Sequence, residues 1–111
     1  GNGKVSYRPV DAGDQASVAS VIADADIVLN CVGPFYKTVK TVLAAVLAAK
    51  KPYVDICDDV DVTLDILKLD AEAKKAGITA VIGMGASPGA TNLLAKYIAD
   101  NQIEVSDSYS I

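Results

Sequence analysis

Three times in this chain an apolar run stops abruptly in a short polar or Gly/Pro-rich stretch, and helical sequence follows. The segments are residues 27–36, residues 53–59 and residues 80–89. A strand that must hand over directly to a helix is the unit of a parallel α/β sheet. Such sheets gather their ligands outside the carboxyl ends of the strands. Each segment places its small and polar residues at such an end, so the format constrains the fold and marks a candidate site together.

The remainder of the chain fits that alternation. Residues 4–11 read as a strand carrying Val5, Tyr7 and Val10. Asp14 is placed to cap a helix whose apolar face is Val18, Val21, Ile22 and Ala25. Strand 26–32 follows, and after the Gly33-Pro34 break Thr38 is expected to cap a second helix. Its stripe of Val39, Val42, Leu43, Val46 and Leu47 is the clearest amphipathic face in the sequence. Lys50-Lys51-Pro52 ends it. Strand 53–57 leads to one helix over about residues 60–76, with Gly77 as C-cap. Strand 78–82 runs into Gly83-Met84-Gly85-Ala86, after which Ser87 at N-cap and Pro88 at N1 predict a helix reaching about Asp100. From Ile103 the pattern alternates as a half-exposed strand. The order β-α-β-α-β-α-β-α-β predicts an α/β fold with a parallel sheet under helices whose apolar faces form the core.

Composition narrows the function classes. With 111 residues the chain makes one small domain, and a net charge of −4 with no basic cluster argues against nucleic acid as a partner. No stretch is long enough to span a bilayer and no leader is visible, so no membrane is expected. Cys31 and Cys57, each inside an apolar run, read as buried free thiols of a reducing, cytoplasmic environment. Histidine is absent, which leaves acid–base chemistry to Asp, Glu, Lys, Tyr, Cys or a bound ligand.

Among the motifs, Asn30-Cys31-Val32-Gly33-Pro34 has two readings. It is a strand end and tight turn, or a place where glycine admits a ligand to the backbone and Asn30 offers a donor and an acceptor. Asp55 interrupts an apolar strand and draws suspicion for that reason. Asp58 and Asp59 fit helix capping better than a metal site, and no metal is expected. Gly83-Met84-Gly85 is not a dinucleotide fingerprint, because the next glycine, Gly89, lies one residue too far for G-x-G-x-x-G. It does deliver a helix N-terminus suited to an anionic group.

Taken in order, "DIVLNCVGPFY" (residues 26–36), "YVDICDD" (53–59) and "AGITAVIGMGASPGATNLL" (76–94) resemble the saccharopine dehydrogenase/reductase-like family of nicotinamide-dependent oxidoreductases. The resemblance implies a Rossmann-like doubly wound sheet and hydride transfer between NADP or NAD and an amine/imine carbon of an amino-acid-type substrate. It implies cofactor contacts from Asp11 near the adenine, from Asn30, Cys31, Val32, Gly33 and Pro34 beside the nicotinamide ribose, and from Val54, Asp55 and Ile56, which would flank the nicotinamide and the substrate. Ser87, Pro88 and Gly89 would meet the nicotinamide or the polar end of the substrate. No catalytic residue carries over. The first two strands and the glycine-rich phosphate loop have no counterpart, so the sheet is expected to be incomplete. Residues 1–101 would be a partial dinucleotide-binding domain, and residues 102–111 the start of a strand leading into a substrate and dimerisation domain. Of the order 3-2-1-4-5-6 the chain would supply strands 3, 4, 5 and 6. Strand 26–32 would keep an unpaired edge, and residues 4–11 would stand two strand positions away from it. Such a piece is expected to self-associate as a homo-oligomer and to be inactive alone. The alternative is a non-enzymatic α/β nucleotide-binding or protein-interaction module.

Overall fold

The structure is a computed structural model and describes residues 3–101. The strand expected over 103–111 and the domain boundary before it lie outside the described residues. The elements are α1 (Gln15–Ile22), β1 (Val28–Asn30), α2 (Phe35–Ala49), β2 (Tyr53–Asp55), α3 (Val60–Leu67), α4 (Asp70–Ala76), β3 (Ala80–Val81) and α5 (Thr91–Asn101). The strands form one parallel sheet in the order β1-β2-β3, with Val28 opposite Tyr53 and Tyr53 opposite Ala80. This is the α/β parallel sheet that the alternation predicts, in the incomplete Rossmann-like form that the resemblance implies, and β1 is an edge strand among the described residues.

The strands march in one direction, so right-handed crossovers place every connecting helix on the same face. Burial follows that geometry. Val28, Asn30, Tyr53 and Asp55 point inward, whereas Ile27 and Leu29 remain 57 % and 63 % exposed on the other side. The core therefore lies between one sheet face and α2, whose Val39, Val42, Leu43 and Val46 meet Val18 and Ile22 of α1 and Ile66 of α3. Each such side chain contributes about 1.5–3 kcal/mol on burial. Among the described residues the helices that join β1, β2 and β3 pack on this one face. The apolar face of α5 is also not core, since Leu93, Leu94 and Tyr97 are each 60 % exposed.

Helix ends follow local chemistry. The Asp14 carboxylate accepts the Ser17 N–H at 2.9 Å, capping α1 as expected. Helix α2 starts earlier than predicted, with Pro34 at its N-cap. Thr38 is thus already one turn inside, and its hydroxyl donates to the Val32 and Pro34 carbonyls at 3.2 and 3.3 Å. Lys50 ends α2 in the left-handed conformation (φ 52°), and Gly77 ends α4 likewise (φ 72°). The single helix expected over residues 60–76 is two. Leu69 (φ −82°, ψ 4°) breaks it, and α4 has its own dipole complement, with Asp70 and Glu72 in its first turn and Lys74 and Lys75 in its last.

The strand expected over residues 4–11 does not form. Those residues are exposed, Val5 by 83 % and Tyr7 by 89 %. A strand needs a neighbour to accept its backbone hydrogen bonds, and among the described residues none lies beside this segment.

Candidate functional site

The carboxyl ends of β1, β2 and β3 open into three turns lying side by side. The pairing of Asn30 with Asp55 aligns the first two ends. The third is clamped onto the second: the Gly83 N–H donates to Asp55 Oδ1 at 2.8 Å and the Met84 N–H to the Asp55 carbonyl at 2.8 Å. Gly85 lies so close over Ile56 that an added Cβ would sit 3.2 Å from the Ile56 Cβ. Gly83 takes φ +72° and faces the Pro88 ring, and Gly89 crosses back against the Met84 backbone. The glycines of this turn thus permit close packing of the chain on itself.

Beneath the turns runs a buried polar network. Asn30 is 3 % exposed and Asp55 is fully buried. Asp55 Oδ1 also accepts the Cys57 N–H at 3.1 Å, while Oδ2 accepts the Tyr53 hydroxyl at 2.9 Å. The Tyr53 oxygen in turn accepts from Asn30 Nδ2 at 3.0 Å, and Asn30 Oδ1 accepts the Val32 N–H at 3.0 Å. Among the described residues no buried side-chain polar atom lacks a partner. Burial pushes the Tyr53 phenol well above its ordinary 10.0, the Asn30 hydrogen bond opposes that rise, and the charge of Asp55 adds to it.

The site residues suggested by the sequence therefore fall into three groups. Asn30 and Asp55 lie inside, occupied by chain partners. Cys31, Val32, Gly33, Pro34 and Ile56 are exposed around the strand ends, with Val54 half-buried between them. Cys31 is exposed rather than buried, because it alternates with inward-facing Asn30 onto the uncovered side, and both cysteines are free. Ser87 and Pro88 are exposed and Gly89 is buried. The Ser87 backbone is extended (φ −133°, ψ 127°) within a π-type turn over Ala86–Ala90, and no side-chain cap bond forms at its head. The smooth Ser-Pro helix start is replaced by this turn, which the Gly89–Met84 crossing imposes. Asp11 sits in the loop before α1, where its Oδ1 accepts the Gly13 N–H at 2.8 Å and its own N–H donates to Ser17 Oγ at 3.0 Å. It shares no hydrogen bond with the other candidates. Asp59 occupies the N-cap of α3 as expected, without a side-chain cap bond.

Gly33 differs from the other glycines of the three turns. Its φ is not positive, and an added Cβ would meet nothing within 4 Å among the described residues. Neither conformation nor internal packing requires glycine there. A separate cavity runs along β3, lined by Leu43, Leu47, Ile66, Leu69 and Ile78. Asp70 and Lys74 on its wall are paired with each other at 2.6 Å, which leaves little free polarity to orient a ligand. The strand ends are the better site. Sequence reasoning passed over Tyr53, although its spacing of two from Asp55 places both on one strand face.

A model of the family described as Saccharopine dehydrogenase NADP binding domain matches residues 1–81. The chain belongs to that family. The match runs from the leading segment to β3 and stops before the turn that carries Ser87, Pro88 and Gly89. Membership makes this a domain of the nicotinamide-dinucleotide-binding type. Among the described residues no helix is long and apolar enough to cross a membrane.

Proposed function

We propose that the exposed rim of Cys31, Val32, Gly33, Pro34 and Ile56, with half-buried Val54 between them, receives the nicotinamide-ribose part of NADP or NAD. The parent protein would be an oxidoreductase that transfers hydride between the cofactor and an amine/imine carbon of an amino-acid-type substrate. Asp11 is assigned to the adenine end. Ser87, Pro88 and Gly89 are assigned to the substrate side. Asn30 and Asp55 act from below, since their polar atoms are engaged within the chain. The observation that carries the reading is Gly33: a glycine with no internal need for glycine, at a strand end, keeps open the backbone approach a ligand uses. Two free cysteines accord with a cytoplasmic setting.

The 111 residues contain no G-x-G-x-x-G loop to cradle the pyrophosphate, so this chain alone should bind weakly, with Kd about 1 mM or above, and turn nothing over. The test is an NMR titration of the labelled chain with NADPH and NADH. Shifts confined to residue 11 and to residues 31–34, 54–56 and 87–89, with those at the strand ends lost in Gly33→Ala without loss of stability, support the assignment. Shifts elsewhere, or strand-end shifts that survive Gly33→Ala, overturn it. A second reading is a binding or interaction module. It is favoured by the edge position of β1 and the exposed Ile27 and Leu29 among the described residues, and a homo-oligomer that ignores nucleotide would be its signature.

A further inference from the structure

The hydrogen bonds beneath the turns form one unbroken line. From the Val32 N–H it passes through the Asn30 amide, the Tyr53 hydroxyl and the Asp55 carboxylate to the Gly83 N–H. The line begins in the turn after β1, crosses the sheet through β2 and ends in the turn after β3. It touches all three turns, because Asp55 also holds the Cys57 N–H.

Its polarity is set throughout. A carboxylate accepts, so the Tyr53 hydroxyl must donate to it, and the phenolic oxygen is left to accept. Asn30 must then present its NH2 group to Tyr53, which turns its carbonyl toward the Val32 N–H. No member can reverse without leaving another unpaired, and the network is buried, where an unpaired group costs about 1–3 kcal/mol. Tyr53 is the only link between the β1 half and the β3 half of this line.

We infer that Tyr53 is a positioning residue: its hydroxyl locks the turns after β1, β2 and β3 into one rigid platform, so that the turn bearing Val32 and the turn bearing Gly83 order or loosen together. That this platform serves a dinucleotide rests on the proposed function; the coupling of the turns does not.

The experiment is residue-resolved amide exchange on the ligand-free 111-residue chain. Tyr53→Phe keeps the ring in the core and removes only the hydroxyl. Exchange at Val32 and at Gly83, on opposite sides of the sheet, should both accelerate about 10-fold or more, while Val42 within α2 stays unchanged. Asp55→Asn, a second cut, should accelerate Val32 although Asp55 makes no bond to it. Val46→Ala, a core truncation in α2, should raise exchange without singling out the two turns. Unchanged exchange at Val32 in either cut variant, unchanged exchange at Gly83 in Tyr53→Phe, or a rise matched at Val42, overturns the inference. Where the parent shows NADPH-dependent shifts, Tyr53→Phe should diminish them and Val46→Ala should not. A parent without such shifts overturns the cofactor assignment and leaves the coupling to be judged on exchange alone.

Discussion

Gly89→Ala isolates the packing of the third turn. A methyl carbon at residue 89 would lie 2.5 Å from the Met84 carbonyl carbon, 2.7 Å from the Met84 Cα and 2.9 Å from the Gly83 oxygen. Carbon atoms rest comfortably at about 3.5–4.0 Å, so the turn must retreat by about 1 Å. All three obstructing atoms are backbone, and no flexible side chain can yield. The retreat is also resisted, because Gly83 and Met84 are both bonded to Asp55 at 2.8 Å and Gly85 sits against Ile56. Overpacking costs about 1–3 kcal/mol, and losing a bond to Asp55 adds about 1 kcal/mol. A loss of about 3 kcal/mol is therefore expected. At an m-value of about 1.5 kcal/mol per M urea, the unfolding midpoint falls by about 2 M. Gly33→Ala is the paired control. Its methyl meets open space, and the stiffer unfolded chain should add about 0.4–1 kcal/mol. Equilibrium urea unfolding followed by far-UV circular dichroism reads both. A Gly89→Ala midpoint equal to the parent's, or a Gly33→Ala midpoint lowered as far as Gly89→Ala's, would refute the account of why these glycines are there.

Three further outcomes follow from single side chains. Lys40 and Lys68, each 2.8 Å from Asp65, hold its carboxyl down at about 2 from an ordinary 3.8. A depressed folded value gives stability that is present above pH 3.8 and lost as pH falls toward 2, so Asp65→Asn should abolish a small, salt-sensitive part of the acid unfolding profile. Tyr53 shifts the opposite way: its raised value keeps stability whole below pH 10 and drains it as pH climbs beyond that, and alkaline unfolding of Tyr53→Phe should lack that component. Exposed Cys31 should react promptly with a thiol reagent in the folded chain, whereas Cys57, 1 % exposed, should wait for unfolding; two equally fast thiols would contradict the packing.

What could be read from the sequence is what depends on nearby residues. The Asp14 cap, the α2 stripe, the Gly77 terminus and the parallel order of three strands each follow from periodicity or capping within one element and its neighbours. Residues 4–11 have strand-like chemistry, yet a strand is a property of two segments, and among the described residues no second segment pairs with them. The break at Leu69 and the turn ahead of α5 arise from tertiary demands that periodicity does not record. Asn30 and Asp55 were conspicuous as polar residues in apolar runs, but their partners are Tyr53 and Gly83, 23 and 28 residues away. Oddness was legible; the division between ligand-facing rim and supporting network was not.

The one-sided placement of the helices has a consequence for how the domain can be built upon. Among the described residues every backbone bond within the sheet joins β1 to β2 or β2 to β3, so there the outward hydrogen-bonding row of Val28–Asn30 and the exposed Leu29 face beside it are independent of the existing register. Another polypeptide segment can be grafted along that row, and a helix laid over Leu29, without remaking any bond already in place. The sheet is in this sense a cassette, extensible on one side while α2 anchors the other.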